Sequence, residues 1–225
     1  MKKSVIYLSG TLLLCLSITG FSQTKPETTK ERFSYAVGVQ LAQNIISQAG
    51  GLHIDSVIMA INDMLSGAEP KLTIEEMQTA VTAYQQEQQA MANEIGTKNQ
   101  QEGEKFLTEN GKKEGIVTTA SGLQYKVLET GTGAKPAATD NVVVHYRGSL
   151  LDGSEFDSSY SRGEPLTIAL NQVIPAWTEA VTMMAIGSKW QIYVPSELGY
   201  GERGAGPTIG PHSTLIFDIE LLGIN

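Results

Sequence analysis

The chain has 225 residues, of which 41% are hydrophobic, so it is long enough for two domains and apolar enough for real cores, which excludes a globally disordered protein. Its formal net charge is −8, and the acidic residues are spread along the chain. The sequence therefore lacks the basic surface of a protein that binds nucleic acid or an anionic membrane, and we expect no nucleic-acid partner.

Residues 1–22 have the pattern of a secretory signal peptide. Two lysines precede an apolar run that is too short to span a membrane, and the small residues Gly20 and Ser22 stand three residues and one residue before the expected cleavage. Cys15 follows the bulky Leu14, whereas lipid attachment requires a small residue there, so we predict no lipidation. The pattern predicts an exported protein, periplasmic by preference, with outer-membrane association or secretion as the alternatives.

Two amphipathic helices are predicted after the signal peptide. The first runs from Glu31 to the glycine pair at 50–51, because apolar residues recur at every fourth position: Phe33, Val37, Leu41 and Ile45. The second helix has Asp55 as its expected N-cap and ends at Gly67, and Pro70 prevents it from continuing.

A third and longer helix is predicted from Thr73, which can form a capping box with Glu76, to about Asn110, a length on the order of 55 Å. Residues of its first half step alternately by three and four, with one polar interruption: Ile74, Met77, Val81, Tyr84, Gln88, Met91 and Ile95. The second half is polar and contains Gly96 and Gly103, which weaken a helix. We therefore predict a packed stem that leads into a solvated spacer.

The helical part of the chain is thin for an independent core, and two arrangements remain open. The apolar faces can pack within one chain, or two chains can pool them in a homodimer, which is the preferred interpretation. The predicted organisation is a signal peptide over 1–22, a helical dimerisation domain over 23–72, a stem and spacer helix over 73–114 and a further domain over 115–225.

The composition changes after residue 115 to β-branched residues, glycines and turns. Strands are predicted over 123–128, 142–151, 166–170, 190–194 and 214–222. A short helix over about 176–184 starts with Pro175 in its first turn, and the polar segment with Phe156 and Asp157 is predicted to be a turn. The connections are too short for parallel crossovers, so the fold class is α+β, with a curved antiparallel sheet closed over one helix.

Four segments of this domain occur in an ordered series: VVVHYRGSLLDGSEFDSS, VIPAWTEAV, IGSKWQIYVPSELGYGERG and PHSTLIFDIELL. Together they resemble the FK506-binding-protein type of peptidyl-prolyl cis–trans isomerase over about residues 120–223. The upstream helices resemble, more loosely, the two-domain bacterial branch of that family, which includes the macrophage infectivity potentiator and the periplasmic FkpA-like proteins. The resemblance implies a five- or six-stranded antiparallel sheet wrapped around one helix, and an isomerase without a cofactor.

The resemblance also implies the residues of a site. The expected catalytic residues are Tyr146, Phe156, Asp157, Trp177, Tyr200 and Phe217, and the expected substrate-binding residues are Leu166, Val173, Ile174 and Ile209. Leu166 replaces the aromatic residue of many relatives, and the loop over 202–211 also differs, which bears on substrate preference and drug affinity. The expected ligands are proline-containing unfolded or partly folded polypeptides and macrolides of the FK506 and rapamycin type.

The chemistry of such a site follows from the X–Pro bond, whose rotation is slowed by amide resonance. The twisted transition state is less polar than the planar amide, so a dry aromatic pocket favours it. The N–H of Ile174 and the hydroxyl of Tyr200 can hold the flanking carbonyls. Trp177 and Phe217 have an alternative role as ordinary core residues, and Asp157 is expected to accept a hydrogen bond from Tyr146 rather than to transfer a proton.

Other site chemistry has little support in the sequence. The histidines lie on different predicted elements without ligand spacing, and Ser158 and Ser159 are expected to have no base nearby, so neither a metal site nor a nucleophile is predicted. Two further functions remain open. The first is a non-enzymatic holdase that grips unfolded chains between the helices of a dimer, and the second, with only the family branch behind it, is a surface adhesin.

Overall fold

The structure is a computed structural model, and it describes residues 25–48 and 51–225. The predicted signal peptide and Cys15 lie outside the described residues. The chain divides into two compact units, of which the first ends at Lys71 and the second begins at Leu72. Within the described ranges, no helix combines the length and the apolar character needed to cross a membrane.

The first unit contains helices α1 (Thr29–Gln48) and α2 (Ile54–Ser66). Gly67 ends α2 with a positive φ of 74°, as the sequence predicts. The predicted N-cap Asp55 is wrong, because His53 occupies the cap and Asp55 lies in the first turn, where its charge is still favourable at the helix N-terminus. No residue of α2 is buried within a single chain.

The second unit begins with the long helix α3 (Ile74–Asn110), whose bounds agree with the prediction. The capping box is present: the N–H of Glu76 donates to Thr73 Oγ1 over 3.2 Å, and the N–H of Thr73 donates to Glu76 Oε2 over 2.7 Å. The apolar residues of its first half are exposed, and Val81 is 57% exposed.

The second half of α3 is exposed over most of its surface, but one face packs against the sheet, which the prediction of a solvated spacer did not include. Its buried residues are Gly96, Gly103 and Asn110, which lie seven positions apart and therefore follow one face of the helix. A Cβ atom on Gly103 would lie 2.2 Å from Thr214 Oγ1, so the missing side chain permits close contact with the sheet. The polar residues of this half also find partners, since Asn110 Nδ2 donates to Gln124 Oε1 over 3.0 Å.

After α3, the second unit is built around one antiparallel sheet of seven strands. The strands are β1 (Ile116–Thr118), β2 (Gln124–Glu129), β3 (Asn141–Leu150), β4 (Glu155–Ser158), β5 (Leu166–Ala169), β6 (Lys189–Val194) and β7 (Leu215–Ile224). Their order is β1-β2-β6-β7-β3-β4, and β5 also pairs with β3. The short helix α4 (Ser159–Arg162) follows β4, and α5 (Pro175–Met183) lies between β5 and β6.

Strand β4 corrects the prediction of a turn at Phe156 and Asp157. It pairs with β3 in an antiparallel register that places Asp157 opposite Gly148. The glycine and serine residues that indicate a turn belong to the tight connection before β4, and the strand itself is only four residues long. Pairing with a long neighbouring strand stabilises a segment that has little strand character in its own sequence.

The core lies between the sheet and α5. It contains fully buried residues from both, including Val144 of β3, Val181 of α5 and Ile192 of β6. Strand alternation turns Tyr193 to the opposite face, where it is still buried because Phe106 of α3 covers it at a ring distance of 5.8 Å. The sheet is therefore covered by α5 on one face and by α3 on part of the other.

Candidate active site

A cavity of about 300 Å³ collects side chains from β3, β4, β5 and β7, from the start of α5 and from the loop after β6. Its lining residues are Tyr146, Phe156, Asp157, Leu166, Ile168, Gln172, Val173, Ile174, Trp177, Tyr200 and Phe217. The volume is at the small end of the range for ligand pockets, which suits one compact side chain of a larger ligand.

Four aromatic rings form a continuous series along the cavity. Tyr146 packs edge-to-face on Trp177 with ring centroids 5.1 Å apart, and Trp177 packs in the same way on Phe217 at 5.5 Å. Phe217 in turn meets Phe156 edge-to-face at 5.5 Å. Each contact has the perpendicular geometry that aromatic quadrupoles favour. The rings therefore hold one another in place before any ligand arrives.

Trp177 reaches this position through the start of α5. Pro175 occupies the first turn, where its fixed φ suits a helix and its missing N–H costs no hydrogen bond. The N–H of Trp177 then donates to the carbonyl of Ile174 over 2.9 Å. Trp177 is only 4% exposed and belongs to the hydrophobic core. The Trp177 side chain is therefore both a residue of the hydrophobic core and a lining residue of the cavity.

Gly148 of β3 lies behind two of the rings. A Cβ atom at this position would come within 2.6 Å of Phe156 ring atoms and 2.9 Å of a Phe217 ring atom. Such distances are shorter than any real Cβ contact, so glycine is what allows both rings to lie directly against the strand.

A polar group closes one side of the cavity. The hydroxyl of Tyr146 donates to Asp157 Oδ2, and Arg162 of α4 forms an ion pair with Asp157 Oδ1. Arg162 Nη2 also donates to the Tyr146 hydroxyl oxygen over 2.8 Å. Each member of the group therefore contacts the other two, which fixes the orientation of the Tyr146 ring.

The same contacts shift two pKa values in opposite directions. Burial, assisted by the hydrogen bond to Asp157, raises the pKa of Tyr146. Partial burial opposes ionisation of Asp157, but the hydrogen bonds from Tyr146 and Arg162 outweigh it, and the pKa of Asp157 is lowered. Tyr146 therefore stays protonated and Asp157 stays ionised at neutral pH, so neither is poised to transfer a proton.

Two polar atoms at the mouth of the cavity have no hydrogen-bond partner among the residues that the structure describes. The N–H of Ile174 makes no hydrogen bond within the described part of the chain, and the same holds for the hydroxyl of Tyr200 among residues 25–48 and 51–225. Ile174 is half-buried and Tyr200 is 40% exposed. Both atoms are available to carbonyl groups of a bound peptide.

The structure brings together nine of the ten residues expected in the site, and Ile209 is the exception. Ile209 is 7% exposed, forms an antiparallel bridge with Ala205 inside the loop, and belongs to the hydrophobic core without lining the cavity. Two lining residues were missed. Ile168 follows Leu166 by two positions on β5, so strand alternation was a sufficient signal for it. Gln172 lies in a short turn of 3₁₀-helix over 170–172, and no sequence signal points to it.

One expectation about nucleophiles needs correction. Ser159 does have a histidine nearby, because its Oγ lies 2.9 Å from His145 Nδ1. Ser159 is nevertheless fully buried, and its hydroxyl bonds to both the N–H and the carbonyl of Tyr146. These contacts make Ser159 a structural residue that joins the start of α4 to β3. Among the described residues, no group of three or more His, Cys, Asp or Glu side chains is placed to hold a metal ion.

Two family descriptions match successive parts of the chain. Residues 30–127 match the "Domain amino terminal to FKBP-type peptidyl-prolyl isomerase". Residues 132–222 match the "FKBP-type peptidyl-prolyl cis-trans isomerase" itself. The second match contains every residue that lines the cavity.

Similar proteins extend over nearly the whole chain. The FKBP-type 22 kDa peptidyl-prolyl cis-trans isomerase of Escherichia coli (strain K12) is 44% identical over 200 residues, which cover 88% of this chain and 97% of that protein. The Outer membrane protein MIP of Legionella longbeachae is 39% identical over 217 residues, which cover 95% of this chain and 93% of that protein. The crystal structure of FkpA from Escherichia coli aligns with a TM-score of 0.62 at 34% identity and covers 88% of this chain and 98% of that chain. The resemblance predicted from four sequence segments is confirmed, and the chain belongs to the family of FKBP-type peptidyl-prolyl cis–trans isomerases.

Proposed function

We propose that this enzyme accelerates cis–trans isomerisation of X–Pro bonds in folding polypeptides by holding the proline ring in the aromatic cavity. The observation that carries the proposal is the unbroken series of four edge-to-face rings around a cavity of about 300 Å³. Such a space accepts a compact apolar ring and excludes most of the water that would surround it in solution.

The proposed catalysis requires no covalent step. The barrier to rotation is about 18–20 kcal/mol because resonance makes the amide planar and charge-separated. Water stabilises this polar planar form more than the twisted form. A dry aromatic surface removes that advantage and so favours the twisted transition state over the ground state.

The two unpartnered polar atoms at the cavity mouth provide the orientation. The Ile174 N–H and the Tyr200 hydroxyl can each hold a carbonyl that flanks the proline, while Trp177 supports the ring. When both flanking carbonyls are fixed, rotation about the X–Pro bond is the main motion that remains. The entropy cost of reaching the twisted state is therefore lower. Asp157 acts on this arrangement through Tyr146, as a residue that sets the shape and the electrostatics of the pocket.

A peptide assay tests the function. A short X–Pro peptide enriched in the cis form relaxes over about 10–100 s without catalyst, and we expect the relaxation rate to rise in proportion to the protein concentration. The rate should be constant between about pH 5 and 9, because the pKa of Asp157 is lowered and that of Tyr146 is raised. An unchanged relaxation rate would reject the isomerase function. A bell-shaped pH profile would instead indicate proton transfer and reject the mechanism.

The natural ligands and the location are part of the same proposal. The clients are proline-containing unfolded or partly folded polypeptides, and macrolides of the FK506 and rapamycin type are competing ligands of the same cavity. Leu166 lies in the lining in place of an aromatic ring, so we expect a lower affinity for macrolides. Export to the periplasm is supported by the signal pattern over 1–22 and by the name of the relative Outer membrane protein MIP.

A homodimer through the N-terminal helices is also proposed, on the evidence of unpartnered apolar faces. Large apolar side chains remain exposed within one chain on all three helices, among them Phe33 at 69%, Leu65 at 83% and Ile74 at 72%. Large apolar side chains that a single chain leaves exposed in such number indicate an interaction site on these helices. The a/d spacing along the first half of α3 is typical of helices that pair with a copy of themselves, so the proposed occupant is a second copy of this chain.

The alternative function is a holdase, which would use apolar surface of the same helices to grip unfolded chains. One substitution tests the dimer and the holdase together. Val81→Asp introduces a charge on the exposed seam of α3, and Gln86→Asp introduces the same charge off the seam as a control. We expect Val81→Asp to sediment near the mass of one chain and Gln86→Asp near twice that mass, with equal peptide isomerisation. Loss of aggregation suppression in the Val81→Asp variant alone supports the holdase, whereas monomeric wild-type protein would reject the dimer.

A further inference from the structure

The loop over 200–213, which we call the rim loop, connects β6 to β7 and carries Tyr200 into the cavity lining. It has little regular structure of its own, apart from a single 3₁₀ turn and the bridge between Ala205 and Ile209. Its position therefore depends on its contacts with neighbouring elements, and one of these elements is helix α3.

Helix α3 contacts the far end of the rim loop. Asn99 Nδ2 donates to the carbonyl of Pro211 over 2.8 Å and lies 3.3 Å from Ser213 Oγ. One turn earlier, a Cβ atom on Gly96 would lie 3.1 Å from His212 Cδ2 and 3.2 Å from Pro211 Cβ, so helix and loop are in close contact there. Asn99 thus links α3 to a residue 112 positions later in the sequence, and we call this hydrogen bond to Pro211 the tether.

The contact is transmitted to Tyr200 through the main chain. The N–H of His212 donates to the carbonyl of Gly201 over 2.9 Å, which joins the end of the rim loop to its beginning. His212 has a φ of 54°, a left-handed conformation that is uncommon for a residue other than glycine and persists only when its surroundings fix it. Holding Pro211 and His212 therefore holds Gly201, which is the neighbour of Tyr200.

Another part of the rim loop is separated from α3 by open space. A groove of about 650 Å³ lies between them, and polar side chains line it, including Asn93 and Gln100 from the helix and Arg203 from the loop. Among the described residues, Asn99 is the side chain through which α3 forms hydrogen bonds to the rim loop.

We propose that Asn99 of α3 is a positioning residue for the isomerase site: it fixes the rim loop and, through it, the hydroxyl of Tyr200. The proposal rests on the isomerase function proposed above. It assigns to the long helix a role in catalysis beyond its connection of two parts of the chain. The side chain acts at a distance from the substrate, through its own hydrogen bond to the Pro211 carbonyl and the main-chain hydrogen bond from His212 to Gly201.

The test replaces Asn99 with aspartate in the full chain. Asn99→Asp keeps the shape but places an acceptor against the Pro211 carbonyl, and we expect kcat/KM for the X–Pro peptide to fall about three- to tenfold, the loss typical of one hydrogen bond. Gln101→Glu makes the same change of charge on the opposite side of α3 and should leave kcat/KM unchanged. Wild-type activity retained by Asn99→Asp overturns the proposal.

Two further measurements separate positioning from a general loss of stability. In a Tyr200→Phe background, Asn99→Asp should have little additional effect, because both changes act on the same hydroxyl. A full additional loss would show that Asn99 does not act through Tyr200. Amide exchange of the Ile209 and His212 N–H groups should increase in Asn99→Asp while the strands stay protected. This exchange measurement needs no enzyme activity, so it still tests the tether in a protein without isomerase activity.

Discussion

Replacing Trp177 with alanine is expected to lower kcat/KM for a short X–Pro peptide by about 100-fold. Trp177 is the central ring of the series, in edge-to-face contact with both Tyr146 and Phe217. Without the indole ring the cavity loses part of its apolar lining, and water can enter beside the proline ring. A 100-fold decrease corresponds to about 2.7 kcal/mol, which is within the range for burying one large apolar side chain.

The chain provides a matched control for this substitution. Its other tryptophan, Trp190 of β6, is also nearly buried at 7% exposure and stacks on Tyr125 at 4.3 Å, outside the cavity lining. Trp190→Ala should lower the melting temperature without a comparable loss of kcat/KM in the folded protein. If either alanine variant fails to fold, the pair Trp177→Leu and Trp190→Leu provides the same comparison of kcat/KM. Equal losses of activity in both members of a pair would contradict the proposed role of the cavity.

Replacing Asp157 with alanine is expected to lower kcat/KM by about tenfold or more. The substitution leaves the Tyr146 hydroxyl without its acceptor and Arg162 without its ion-pair partner, so the ring of Tyr146 loses its fixed orientation. Asp157→Asn keeps an acceptor for Tyr146 and should recover part of the loss. If Asp157→Asn were as inactive as Asp157→Ala, with a steep pH dependence in the wild type, Asp157 would be a proton-transfer group.

The lowered pKa of Asp157 also predicts the direction of an acid effect. A carboxyl group whose pKa is lower in the folded state stabilises the fold above its unfolded pKa of about 3.9, and this contribution is lost as the pH falls through the folded pKa. Activity should therefore stay constant through the ordinary aspartate range near pH 4 and decrease only as the pH falls through the lowered pKa of Asp157. Asp157→Asn should remove this acid-side contribution, and the melting temperatures of the two proteins should converge on acidification.

Much of the site was predictable because its residues lie in short local motifs. Tyr146 precedes Gly148 on an alternating strand, and Trp177 follows Pro175 at the start of a helix, so sequence order places each of them. Strand alternation was less useful for β4, because its four residues follow a glycine and two serines flank its ends. Only the register with β3 makes this segment a strand, and that register contains an irregularity between Gly148 and Ser149 that the sequence pattern does not reveal.

The second half of α3 shows the same limit. Polar residues and glycines indicate a solvated helix when they are considered locally, whereas the structure places Gly96 and Gly103 against residues 212 and 214. One signal was available in the sequence: Gly96, Gly103 and Asn110 are spaced by seven, a repeat that marks one face of a helix. The partners of Gly96 and Gly103 lie more than a hundred positions later in the chain, so the repeat could predict a contact but not its partner.

Gly148 has a consequence for selectivity that concerns the shape of the substrate. The depth of the cavity is limited by Phe156 and Phe217, and both rings lie directly on the main chain at Gly148. Any larger residue there would push the rings forward and make the cavity shallower, although no lining residue would have changed. The distinction between a proline ring and bulkier side chains is therefore determined partly by a residue that the substrate never touches. A redesign of the enzyme for larger or smaller ring analogues would have to consider this strand together with the cavity lining.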